Sequence, residues 1–268
     1  MKRSFRGAAV AAAPFLIGSA AHAQSPYSAP RNAVVDASGA KSVEVEAAAG
    51  SLRVEGKPGL RQVQVTGTAY SSSQQQLSRI RLIAERRGDV VFIKADMPDD
   101  DEGWSRYNYS AALDLVIEVP QGMNADVADG SGDTKILNVG ALDASDGSGS
   151  LSVIGAAGSV HITDGSGDLT IENIGGDVRV SDGSGDVNVR NVTGSFIVET
   201  DGSGSIYATD VKGSVVVEND GSGTIEVNKV GKDLRVENKG SGSIDYAEVS
   251  GQVDIPERHR DRNRRDDR

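Results

Sequence analysis

DGSGDLTIENIGGDVRVS, residues Asp164 to Ser181, contains two short runs in which apolar and polar residues alternate, each closed by a glycine turn. Alternation with period two places Leu169 and Ile171 on one face of a strand and Thr170 and Glu172 on the other. The same holds for Val178 and Val180 against Arg179 and Ser181. The unit is therefore turn, strand, second turn, second strand. It is too short to bury its own apolar faces and needs a neighbour.

Neighbours are present on both sides. The phrase Asp-Gly-Ser-Gly begins at Asp129, Asp146, Asp164, Asp182, Asp201 and Asp220, and a Lys-Gly-Ser-Gly version begins at Lys239, in steps of 17, 18, 18, 19, 19 and 19 residues. A fixed period of this length is the mark of a stacked-repeat architecture. Aligned on the phrase, the units give columns of like aliphatics. There are five, nearly every entry aliphatic: Thr134, Leu151, Leu169, Val187, Ile206, Ile225 and Ile244 form one, and Leu142, Val160, Val178, Phe196, Val215, Leu234 and Val253 another. Columns of this kind suit a coiled parallel structure whose turns stack at about 4.8 Å and continue one dry interior. The alternative, an antiparallel meander, reverses successive strands and gives the columns no reason to align. The predicted fold is all-β, a parallel β-solenoid with two strands per 17–19-residue coil, right-handed by the crossover rule, and preceded by an N-terminal strand and hairpin region.

Working outward, residues 129–255 are the seven-coil repeat and 33–128 an N-terminal β region continuous with it. Within the latter, Val43 and Val45, Leu52 and Val54, and Val63 and Val65 alternate with polar residues. Arg79–Glu85 and Val90–Ala95 read as a hairpin around Gly88, and Ser71–Leu77 as the start of a short helix. The segment Pro98–Ser110 holds the single Trp, Trp104, with Tyr107, Tyr109 and the acids Asp99 to Glu102. It reads as a solvated loop whose Trp104 folds onto the sheet edge, with a binding loop as the other reading. Residues 24–32 (two prolines, no periodicity) are expected to be an exposed leader, and 256–268, rich in Arg and Asp without apolar residues, a disordered tail.

The chain opens with Lys2, Arg3 and Arg6, an apolar run Ala8–Ala21, and Ala21-His22-Ala23. This is the layout of a cleaved signal peptide spanning residues 1–23, which predicts export to the periplasm or beyond. No run reaches the roughly 18 apolar residues of a membrane-spanning helix. There is no cysteine, so neither a disulfide nor a thiol nucleophile is available. The formal charge of −11 argues against nucleic acid as a partner.

The unit Gly165–Asp186 (GSGDLTIENIGGDVRVSDGSGD), the strand end Val119-Pro120 and the earlier Gly50–Gly56 (GSLRVEG) resemble the putative-adhesin, β-strand-repeat family of exported bacterial envelope proteins of unknown function. The resemblance spans roughly Val43 to Ile255. It implies a solenoid-like β fold and an exported location, and it carries over no catalytic residue.

Three chemistries are candidates. Asp146, Asp164, Asp182, Asp201 and Asp220 would stack, with Asp168 and Asp186 nearby. Like charges at about 5 Å repel, so something must offset them. The structural account is that each carboxylate accepts N–H bonds within its own turn. The alternative is Ca²⁺ between coils, held by these seven aspartates. Against calcium, the second turn (Ile174-Gly175-Gly176-Asp177) lacks the ligand pattern of calcium-binding nonapeptide repeats, and the residue after Gly-Ser-Gly becomes Ser205, Thr224 and Ser243. Glu226 and Asp245 fall in one outward column, at the spacing a retaining glycosidase uses, but any acidic column meets that distance. His161, outward beside Val160 and Ile162, has no second histidine to form a metal cluster with in the folded region. The serines Ser148, Ser166, Ser184 and Ser203 have no base to activate them. The expected protein is a non-enzymatic exported solenoid without a cofactor, with an adhesin-like or scaffold role toward an envelope protein or surface glycan. A Ca²⁺-dependent repeat binding module and a polysaccharide-acting enzyme are the alternatives.

Overall fold

The computed structural model describes residues 25–98 and 110–256. The expected leader peptide 1–23, the Trp104 loop and nearly all of the charged tail lie outside them. Two eleven-stranded sheets enclose one apolar core. The first runs, in spatial order, β1 (Tyr27–Asp36), β4 (Gln62–Ser71), β7 (Ala111–Pro120), β3 (Leu52–Lys57), β9 (Thr134–Leu137), β11 (Leu151–Ile154), β13 (Leu169–Ile174), β15 (Val187–Val192), β17 (Ile206–Val211), β19 (Ile225–Val230) and β21 (Ile244–Val249). The second runs β22 (Val253–Asp254), β20 (Leu234–Ser241), β18 (Val215–Ser222), β16 (Phe196–Asp201), β14 (Val178–Asp182), β12 (Val160–Asp164), β10 (Leu142–Asp146), β8 (Asn124–Asp129), β2 (Ser42–Glu46), β6 (Val90–Asp96) and β5 (Arg81–Arg87). From β8 onward each strand pairs in parallel with the strand two further along the chain. The fold is the parallel β-solenoid that the period predicts.

The columns are the register. Leu151 pairs with Leu169, Leu169 with Val187, and Val187 with Ile206. On the other sheet Val160 pairs with Val178, and Val178 with Phe196. All of these are buried, and Phe196 is the largest side chain with essentially no exposure. Two local devices keep the columns aligned. In or just after the first strand of each coil one residue takes a left-handed backbone: Asn138, Asn173, Asn191, Asp210, Lys229 and Glu248 at φ from 53° to 60°, and Gly155 at φ 80°. This interrupts the alternation, so that Ile174 turns inward only three residues after Ile171. In the second strand, Val180 pairs with Val198 but Ser181 pairs with Thr200. Glu199 is thus the extra residue where the period lengthens from 18 to 19.

The Gly-Ser-Gly turn is dictated by crowding. Gly167 has φ +136°, and a Cβ there would lie 1.6 Å from the carbonyl oxygen of Gly149 on the preceding coil. Backbone stacks on backbone at this corner, and only glycine leaves room.

The N-terminal region departs from a simple prefix. The β2–β3 coil sits between β8–β9 and the later pair β6 and β7, with which it also pairs in parallel. The end of the stack is closed by antiparallel strands: β4 on β7, β1 on β4, and β5 on β6. The β5–β6 hairpin turns at Gly88, as expected, and α1 (Gln74–Leu77) is the short helix. The expected exposed leader, 24–32, needs correction. Tyr27 to Asn32 belong to β1, which runs antiparallel along β4. The proline is tolerated because β1 is an edge strand. Arg31 anchors it by donating to the Ile80 and Leu77 carbonyls at 2.7 and 2.8 Å.

Candidate functional site

Period two continues one step beyond the aliphatics of the second strand. After Leu142 and Ala144 the next inward residue is Asp146; after Val160 and Ile162 it is Asp164; after Val178 and Val180 it is Asp182. With Asp129, Asp201 and Asp220 they form a column in which each pairs with the next, from Asp129 with Asp146 to Asp201 with Asp220. All six are 3–7% exposed, so the phrase supplies a sixth buried column rather than a surface row.

Only the ends of this column meet a side-chain donor or a cation. At the start, the Thr134 hydroxyl donates to Asp129 at 2.9 Å. In the following coils the position of Thr134 is taken by Leu151, Leu169, Val187, Ile206 and Ile225, which cannot donate. At the far end Asp220 pairs with Lys239, whose charge favours the ionised form. Both carboxylate oxygens of Asp146, Asp164, Asp182, Asp201 and Asp220, and the second oxygen of Asp129, lack a hydrogen-bond partner. The expected in-turn hydrogen bonds therefore need correction. The turn N–H groups of Gly147 and Ser148 lie close enough to Asp146 to favour its charge. The Gly147 N–H, however, is directed at the Asp129 carbonyl at 3.1 Å, and Gly165, Gly183 and Gly202 repeat that bond coil after coil. Burial dominates the outcome. It pushes the Asp164 carboxyl up to about 7, reinforced by the Asp182 and Asp146 charges, and Asp129, Asp182 and Asp201 to about 6. Asp146 and Asp220 move in the same direction for the same first cause.

Asp168 and Asp186 are not part of this column. They stand at the mouth of the turn, where Asp168 accepts from the Asp186 N–H at 3.1 Å and Asp186 from the Ser205 N–H at 2.9 Å. The structure thus divides the seven candidate ligands into a buried five and an outer two. Among the described residues, no group of three or more His, Asp or Glu side chains is arranged to hold a metal ion.

The outward face of the first sheet carries the other feature. Thr170, Asn188, Tyr207 and Glu226 form one outward column, continued by Asp245; Glu172, Arg190, Thr209 and Asn228 form the next. These residues, apart from Asp245, line an open hollow of about 480 Å³. The Tyr207 ring is 36% exposed at its centre, and Arg190 and Glu172 form an ion pair of 2.6 Å at its side. Glu226 and Asp245 are adjacent there, as the sequence implies. His161 is outward between Asp143 and Arg179. The turn serines are held by the main chain: the Ser148, Ser166, Ser184 and Ser203 carbonyls each accept from a glycine N–H on the preceding coil.

No protein-family model and no curated protein matches the sequence. Several solved structures resemble the chain in architecture. A putative adhesin from Bacteroides fragilis is 14% identical with a TM-score of 0.41, over 84% of this chain and 99% of its own. A putative lipid binding protein from Parabacteroides distasonis is 13% identical with a TM-score of 0.42, over 84% and 96%. A putative cell adhesion protein from Clostridium sporogenes is 12% identical with a TM-score of 0.31, over 84% and 100%.

Proposed function

We propose that the protein is an exported, non-enzymatic β-solenoid that binds a surface glycan or envelope protein through the outward face of its first sheet. The observation that carries this is the hollow around Tyr207. An exposed aromatic ring in a field of hydroxyl, amide, carboxylate and guanidinium groups is what a sugar ring needs: an apolar plate for its C–H face and hydrogen-bonding groups around its rim. The rigid stack beneath holds these groups at fixed spacing, so little side-chain ordering remains to oppose binding.

The test is binding of the purified protein to a panel of immobilised envelope glycans and to envelope protein extract, with Tyr207→Ala and Asn188→Ala as variants. Loss of about tenfold or more in Tyr207→Ala, with an unchanged melting midpoint, supports the reading. Equal binding by both variants and the native chain removes the hollow from it. Glycan cleavage that disappears in Glu226→Ala or Asp245→Ala replaces the binding role with the polysaccharide-acting one.

A further inference from the structure

We propose that Asp129, Asp146, Asp164, Asp182, Asp201 and Asp220 form a proton-sharing ladder, in which neighbouring buried carboxyls hold protons between coils and so make the solenoid tightest in mild acid. The argument rests on geometry. Six carboxyl groups on successive coils are buried together, and five of them have two orphaned oxygens each. An ionised carboxylate only accepts, so two of them cannot satisfy one another; a protonated carboxyl beside an ionised one can. Asp164 and Asp182 are direct lateral partners in the register, and a proton on Asp164 would favour the Asp182 charge.

Among the described residues, the surroundings offer no counterion along the middle of the ladder. Across the turn stand Leu151, Leu169, Val187 and Ile206. The charged groups that reach the column are Asp133 beside Asp146, Asp186 beside Asp201, and Lys239 beside Asp220. The first two add to the repulsion and only the last relieves it. A calcium ion takes six to eight oxygens at about 2.3–2.6 Å, including neutral ones, whereas this column presents carboxyl oxygens against aliphatic walls. The proton is the occupant that fits.

The direction of the pH effect follows. A carboxyl held near 6 to 7 in the fold and near 3.9 in the unfolded chain contributes stability that is complete below about pH 4. That contribution is lost as pH rises through 6 to 7. Above that range the fold must ionise carboxyls stacked at the coil spacing, and the turns carrying them loosen first.

The test is thermal unfolding of the purified protein at constant ionic strength from pH 5 to 8.5, with and without chelator and added Ca²⁺. The native chain is compared with the Asp164→Asn/Asp182→Asn variant and with Asp254→Asn as an exposed control. The native midpoint should fall by about 5 °C or more over this range. The double variant should melt higher than the native chain at pH 8.5 and show a shallower slope, because amides hydrogen-bond along a ladder without ionising. The control should follow the native curve. A native midpoint that is flat or rises with pH overturns the proposal, and this arm needs no variant to fold. A midpoint that responds to chelator or Ca²⁺ overturns it as well, by placing a cation where the proton is proposed.

Discussion

Substituting alanine at Gly167 and at Gly88 separates the cost of a left-handed backbone from the cost of parting two coils. Both glycines have positive φ, +136° and +64°. At Gly88 a Cβ meets nothing within 4 Å, so the change costs only the left-handed penalty of about 1 kcal/mol. At Gly167 the Cβ would sit 1.6 Å from the Gly149 carbonyl oxygen, where ordinary contact begins near 3.4 Å. Relieving that overlap requires a displacement of about 1.8 Å between backbones that have no side chain to yield. A shift of that size breaks the bonds that hold the corner: Gly149 N–H to Ser166 O at 3.0 Å, Leu151 N–H to Asp168 O at 3.1 Å and Gly167 N–H to Ser184 O at 2.8 Å. At about 1 kcal/mol each these add roughly 3 kcal/mol to the backbone penalty, for a total of about 4 kcal/mol. For a domain of this size that corresponds to roughly 8–16 °C in melting midpoint, against about 2–4 °C for Gly88→Ala. Circular dichroism melts give the midpoints, and hydrogen exchange at Gly149, Leu151 and Gly167 locates the opening. If the two variants lose equal stability, or the Gly167 corner stays protected, the coils do not stack backbone on backbone there and the turn assignment fails.

Other substitutions test the remaining layers. Val180→Asp introduces a charge into a fully buried apolar column between Ile162 and Val198, and should cost several kcal/mol, enough to open the central coils. The outward neighbour Arg179→Asp gives up only its exposed pair with Glu199, worth about 1 kcal/mol or less; equal effects in denaturant titration would reverse the inward assignment. Lys229 holds φ 56° at the position where Asn138, Asn173 and Asn191 stand in other coils. Asparagine adopts that backbone more readily, so Lys229→Asn should raise the melting midpoint by about 1–3 °C, and a lower midpoint would show that its contact with Asp210 at 3.8 Å outweighs the strain.

Much of this fold is legible because repetition converts a weak local signal into columns. One run such as Leu169-Thr170-Ile171 suggests a strand and no more. Seven aligned runs specify which residues pair and that the pairing is parallel. The hairpin at Gly88 and the short helix at Gln74–Leu77 were readable for local reasons, from turn chemistry and polar composition. The N-terminal coil order was not, because β2–β3 carries Ala47-Ala48-Ala49 where later coils carry the phrase, and nothing local shows that β6 and β7 stack outside it. In β1 the residues facing the sheet are Ala29, Arg31, Ala33 and Val35, too small and too mixed to register as an apolar alternation. That the stacked aspartates point inward is not legible in the sequence, for an instructive reason. Period two from Val178 and Val180 points to Asp182 as the next inward residue, but its charge argues for solvent. The pattern outweighs the residue type here because the strand has no slack to turn the side chain outward before the glycine corner. Tyr207 stands out in the sequence as the one strongly outward aromatic of the middle coils, while the hollow around it requires the lateral pairing of β13, β15, β17 and β19.

The central claim is that the aspartates of the repeated phrase point inward as one column. Site-resolved ¹³C NMR of the aspartate carboxyl carbons, followed from pH 3 to 9, tests it most directly. Asp129, Asp164, Asp182 and Asp201 should titrate near 6 to 7, while Asp36, bonded to Ser38, titrates below the ordinary carboxylate range. Ordinary titration near 3.9 for the phrase aspartates, in a chain that keeps its β structure, would contradict the account and return the phrase to the solvent-exposed turn.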